Sequence, residues 1–139
     1  MRYEQHLSQN AHRLGNKIAL ITGDRRLTYA ELNALSDTLA GSLAKAGVRR
    51  DDRVLIFMEN CWQAAVSIFA VLKAGATFSP INASTKADKL AFIIENCQPA
   101  AILTQAKLAP TAIEARNLAQ ADQLFIAATA AKNGATLEN

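Results

Sequence analysis

The stretch VLKAGATFSPIN, residues 71–82, decides the fold. Leu72 and Ala74 finish a helical pattern, and Gly75 ends it, because a residue without a Cβ takes the left-handed conformation at little steric cost. Residues 76–79 carry the small and aromatic side chains of a buried strand, and Pro80, which has no N–H, is expected to stop the pairing. A helix that passes so directly into a strand is the second half of a βαβ unit. Such a unit demands a strand before it and a helix after it.

Both are present. Upstream, VLIFM (residues 54–58) is apolar without alternation, as a strand in the middle of a parallel sheet covered on both faces must be. Asn60 is expected to cap the helix that follows, with Gln63 at the capping-box position. Its apolar stripe is read as Cys61, Ala65, Ile68, Phe69 and Leu72, and Trp62 as a partly buried anchor near its start. Downstream, Ser84 or Thr85 is expected to open a helix with Leu90, Ile93, Ile94 and Cys97 at i, i+3, i+4 and i+7, stopped by Pro99. AAILT (residues 100–104) reads as another buried strand. Residues 105–120 read as helical in part, with Pro110 starting or interrupting a segment. LFIAA (residues 124–128) is a fourth strand, and residues 129–139, small and polar, read as a tail or linker.

Toward the N-terminus, KIALITGDRRLTY (residues 17–29) holds two apolar runs around Gly23 and Asp24, the pattern of a β-hairpin. Thr28 and Glu31 stand three apart as a capping box for a helix carrying Leu32, Leu35, Leu39 and Leu43. Gly47 and Val48 supply its stop. RRDDR (residues 49–53) reads as a solvated turn. In the N-terminal segment, residues 1–16, Tyr3, Leu7, His12 and Leu14 fit a short helix packed on the body, with His6 and His12 at the surface. The fold class is therefore α/β. Parallel-sheet βα units of the doubly wound type, about four strands, follow a β-hairpin, and the α/β subdomain covers residues 17–128.

With 139 residues and 50% hydrophobic content, the chain is long and apolar enough for one domain with a real core. Its formal charge of +3 is mild, and no basic run is interleaved with aromatics, which argues against a nucleic-acid partner. No apolar run approaches the ~20 residues of a membrane span, and the N-terminus is too polar for a signal peptide. A cytoplasmic protein is expected. Cys61 and Cys97 lack CxxC or Cys/His spacing and read as small buried hydrophobes.

Parallel α/β sheets bind ligands beyond the carboxyl ends of their strands. The residues offered there are Glu59 and Asn60, then Pro80, Ile81 and Asn82, then Thr104 and Gln105. They form no base and nucleophile pair, and neither GxGxxG nor GxxxxGK[ST] occurs. Asp51 and Asp52 look like an acidic metal-binding pair but precede their strand, at the amino end. No catalytic, cofactor-binding or metal-ligating residue is assigned.

LTYAEL (residues 27–32), followed by LKAGATFSPIN (residues 72–82), resembles the first two core motifs of the AMP-forming adenylating enzymes. This superfamily comprises acyl- and aryl-CoA synthetases, peptide-synthetase adenylation domains and luciferases. The intervening residues 39–71 and AFIIENCQPAAILT (residues 91–104) are similar to the same enzymes, so the resemblance spans residues 15–128. The family usually has Pro-Gly-Asp where Arg50, Asp51 and Asp52 stand, so Asp51 must take the left-handed turn or the turn must be avoided.

The resemblance implies an N-terminal fragment of an ATP-dependent ligase in which a carboxylate attacks ATP to give acyl-AMP and pyrophosphate. The acyl group then passes to a thiol, commonly CoA. ATP, Mg and CoA are implied for the full-length parent, and no residue here matches the motifs that hold them, so the chain alone is expected to be inactive. Asn82 resembles the CoA ligases, where peptide synthetases more often have Asp. The implied partner is the remainder of the parent enzyme or a partner chain. An unpaired sheet edge and an exposed apolar face also predict self-association, as a homodimer or larger species. The alternatives are a stand-alone interaction or regulatory module derived from such an enzyme, and an unrelated small-molecule-binding α/β domain.

Overall fold

In a computed structural model, which describes residues 3–22, 25–129 and 137–138, the chain opens with helix α1 (Tyr3–Leu14) and the strands β1 (Ile18–Thr22) and β2 (Arg25–Thr28). Then come α2 (Tyr29–Lys45), β3 (Arg53–Phe57), α3 (Trp62–Lys73), β4 (Thr77–Ile81), α4 (Ala87–Cys97) and β5 (Ala101–Gln105). A 3-10 turn (Ala106–Leu108), α5 (Ala109–Leu118), β6 (Phe125–Thr129) and β7 (Leu137–Glu138) complete it. β1 and β2 pair as an antiparallel hairpin, whose Gly23 and Asp24 lie outside the described residues. The main sheet has the order β4-β3-β5-β6-β7. Its strands β4, β3, β5 and β6 are parallel, and β7 is antiparallel to β6.

The unbroken apolar run of β3 is explained by two cores. Successive strand residues point to opposite faces. Val54 and Ile56, with Ala101 and Leu103 of β5, pack on Leu32, Leu39 and Leu43 of α2 and on Val66, Ala70 and Val71 of α3. Leu55 and Phe57, with Ile102, face Leu90, Ala91 and Ile94 of α4 and Ala112 and Ala115 of α5. Helices therefore cover both faces, as right-handed crossovers running in opposite directions along one sheet require. The chain reverses direction between β3 and β5, which is the switch point of the doubly wound arrangement.

Local chemistry sets the element ends. Thr28 Oγ1 accepts the Glu31 N–H at 3.1 Å and Glu31 Oε1 accepts the Thr28 N–H at 3.1 Å, the expected capping box. Gly75 takes φ 76, with its own N–H bonded to the Leu72 carbonyl and the Ala76 N–H bonded to the Val71 carbonyl. This pair of bonds is the left-handed stop that satisfies the last carbonyls of α3. Asp51 takes φ 68, so it adopts the left-handed turn itself; its N–H donates to the Gly75 carbonyl at 2.9 Å.

Several expectations are corrected. β4 is an edge strand rather than a buried one, and Pro80 lies inside it, in register with Ile56. The Thr77 N–H donates to the Asp52 carbonyl, so by alternation Phe78 and Pro80 turn their backbone to the open side, where a missing donor costs nothing. Asn60 does not cap α3: Cys61 is the N-cap and makes no side-chain cap bond, because the preceding loop is held from β5 by Gln105. The most buried residues of α3 are Val66, Ser67, Ala70 and Val71, while Ala65, Ile68, Phe69 and Leu72 are half-buried on a second face. α4 begins at Ala87 with Lys86 as N-cap, since Asn82 Oδ1 takes both the N–H and the hydroxyl of Ser84 and turns the chain first. Cys61 and Cys97 are half-buried rather than buried. Of the expected tail, Thr129 belongs to β6 and Leu137–Glu138 pairs with it, while residues 130–136 and 139 lie outside the described residues.

Candidate functional site

The switch point lies between the carboxyl ends of β3 and β5, where a doubly wound sheet ordinarily binds its ligand. Here the chain's own side chains cross that opening. The Thr104 hydroxyl, fully buried, donates to the Phe57 carbonyl at 2.7 Å. Gln105 Oε1 accepts the Glu59 N–H at 2.8 Å. From the 3-10 turn, Lys107 Nζ reaches Glu59 Oε1 at 2.6 Å, an exposed ion pair outside the two hydrogen bonds. The three contacts bolt the loop after β3 to the loop after β5. A smaller crevice of about 410 Å³ remains beside it, between the ends of β3 and β4, lined by Met58, Glu59, Asn60, Pro80, Ile81 and Asn82.

The polar residues singled out from sequence are thus dispersed into structural tasks. Glu59 and Gln105 meet, Asn82 holds its own turn, and Asp51 and Asp52 sit at the opposite end, where Asp52 Oδ2 accepts the Arg49 N–H at 2.8 Å. Asn82 Oδ1 serves as an acceptor, a task an Asp carboxylate performs equally. Burial pushes the Cys61 thiol up from its ordinary range, which keeps it protonated and poorly nucleophilic at neutral pH. His6 and His12 are exposed. Among the described residues, no three His, Cys, Asp or Glu side chains gather as a metal site. Trp62 is half-buried and carries the Arg25 guanidinium 4.6 Å above its ring, which ties the hairpin to α3 as an anchor.

Sequence reasoning misses Lys73. Its side chain is 10% exposed, and its ammonium bonds Asn33 Oδ1 at 2.7 Å, the Asn33 carbonyl at 3.2 Å and Asp37 Oδ1 at 2.6 Å. The two stretches that carry the family resemblance are thereby joined: LKAG at the end of α3 is tied to the turn of α2 that follows LTYAEL. An ammonium has three donors, and all three are used. The signal available in the sequence is a lone lysine within an apolar helix.

A second concavity, about 660 Å³, lies on the α3 side of the sheet. Leu20, Tyr29, Phe69, Leu72 and Phe78 form its floor, and α1 forms one wall through Tyr3, His6, Leu7 and Asn10. Its volume is that of a ligand pocket, but among the described residues its lining includes no Asp, Glu, Lys or Arg to orient a polar substrate.

Comparison with known proteins agrees with this architecture. The chain is 36% identical over 104 residues to malpinin synthetase of Mortierella alpina, covering 75% of this chain and 1% of that protein. It is 34% identical over 101 residues to tyrocidine synthase 1 of Brevibacillus parabrevis, covering 73% of this chain and 9% of that one. The crystal structure of a benzoate CoA ligase from Burkholderia xenovorans LB400 superposes on 94% of this chain with a TM-score of 0.85, at 18% identity, and the match takes up 26% of that ligase. The chain thus spans a small part of the length of the proteins it matches. The AMP-binding enzyme family matches residues 7–138, from the middle of α1 to the end of β7. By that match, together with the sheet order and the paired motif stretches, this chain belongs to the AMP-binding enzymes.

Proposed function

We propose that the chain is the N-terminal part of an ATP-dependent, AMP-forming carboxylic acid ligase of the acid–thiol kind, and that it supplies scaffold rather than chemistry. The observation that carries this reading is the bolted switch point. Thr104, Gln105 and Lys107 occupy, with contacts inside the chain, the opening through which such a sheet would admit a nucleotide. No residue of the chain is assigned to catalysis, to a cofactor or to a metal. ATP and Mg, and CoA as the acceptor thiol, are then handled by further sequence of the ligase, which is also this domain's partner. Since Asn82 acts through an oxygen acceptor, it does not favour CoA over another thiol. A cytoplasmic location is supported by the unpaired Cys61 and Cys97. Among the described residues no helix is long and apolar enough to cross a membrane.

Exchange of labelled pyrophosphate into ATP, measured across a panel of carboxylic acids, tests the reading. The 139-residue chain alone is expected to give no exchange, and a longer protein carrying these residues at its N-terminus is expected to exchange with at least one acid. Exchange by the chain alone would overturn the scaffold role. Its absence from the longer protein with every acid would overturn the ligase.

A further inference from the structure

We propose that α1 is a detachable strap over the apolar groove, opening and closing while the sheet and helices α2 to α5 stay folded. The stripe that α1 turns to the groove is Tyr3, His6, Leu7 and Asn10, spaced i, i+3, i+4 and i+7. Of these four, His6 is exposed and Asn10 half-buried, so the stripe offers few apolar contacts to the floor of Leu20, Phe69, Leu72 and Phe78. Among the described residues, Leu7 is the one buried apolar side chain of α1, whereas α2 buries Leu32, Leu39 and Leu43 and α3 buries Val66, Ala70 and Val71. Tyr3 is 79% exposed and Glu4, though buried, carries a carboxylate, so the leading end of α1 adds little apolar attachment.

One polar tie between α1 and α2 is shared with a third helix. Ser8 Oγ donates to Asn33 Oδ1 at 3.3 Å, but that oxygen already receives Lys73 Nζ at 2.7 Å. A helix of 12 residues is marginal without packing, and α1 has less buried apolar packing than α3, which has the same length, so its opening is the cheaper. The other end is fixed. The Gly15 carbonyl accepts the Ala30 N–H at 3.1 Å, and a Cβ on Gly15 would stand 2.8 Å from the Ala11 carbonyl oxygen. Gly15 thus anchors the strap against the start of α2, and the Tyr3 end swings.

Hydrogen exchange of the 139-residue chain, resolved by peptide or by NMR, decides the matter. Amides of residues 3–14 are expected to exchange at least about ten-fold faster than those around Leu39 and Val71. Leu7→Ala is expected to speed the α1 amides by a further factor of about ten or more and leave α2 and α3 unchanged. Wild-type α1 amides exchanging at the α2 and α3 rate would overturn the proposal. So would a Leu7→Ala variant that speeds all helices together or fails to fold, because either outcome makes α1 part of one cooperative unit.

Discussion

At the carboxyl ends of β3 and β5 the chain spends its polar side chains on itself, whereas beneath α1 it leaves an apolar floor only partly covered. The first region is closed by Thr104, Gln105 and the Glu59–Lys107 pair over a fully buried Phe57. The second holds Phe69 and Phe78 half-buried in a groove of about 660 Å³. A domain evolved to bind a nucleotide at its switch point would show the reverse, with free polar groups at the strand ends and packed apolar faces elsewhere. The difference assigns rigidity to the sheet ends and plasticity to the helix α1 side.

One substitution made in both regions gives the largest effects. Phe57→Ala is expected to cost about 3–5 kcal/mol in urea unfolding, because a fully buried ring leaves a cavity. Phe69→Ala, in the groove, is expected to cost about 1–2 kcal/mol, since that ring is only partly buried. Equal costs would abolish the distinction between the closed and open regions. Within the bolt a graded pair follows. Thr104→Val keeps the shape and removes the hydroxyl's bond to the Phe57 carbonyl, for a loss of about 1–1.5 kcal/mol. Glu59→Gln removes an ion pair whose side chains are 51% and 60% exposed, and is expected to cost less than about 1 kcal/mol, an effect that fades in high salt. A Glu59→Gln loss larger than that of Thr104→Val would place the strength of the bolt outside rather than inside.

The features legible in the sequence are those decided by neighbours along the chain. The Thr28 and Glu31 capping box and the Gly75 stop each depend on three or four consecutive residues and can be read from them, whereas the left-handed Asp51 is legible only against the family's Pro-Gly-Asp, and there as one of two alternatives. VLIFM reveals its two-sided burial because a strand with no polar position has no solvent face. Pro80 misleads because its effect depends on which side of the strand has a neighbour, and sequence does not say that β4 is an edge. Asn60 loses its capping role to a contact from Gln105, 46 residues from Glu59, and Lys73 finds its acceptors on α2, 36 and 40 residues back. Such distant partners leave no local pattern. The candidate site is legible as a place, the carboxyl ends of the strands, but its closure is not, since Thr104 and Gln105 look the same whether they face a ligand or another strand.

The measurement that bears most directly on the closed switch point is the melting temperature of the 139-residue chain with and without millimolar Mg·ATP, at matched ionic strength. A ligand that binds only the native state raises apparent stability by about 2.7 kcal/mol at a hundred times its dissociation constant, a shift of several degrees for a domain of this size. An unchanged melting temperature is expected. A rise of several degrees, lost on replacing ATP by an equal concentration of a non-nucleotide phosphate, would contradict the closed switch point and place a nucleotide site within these residues.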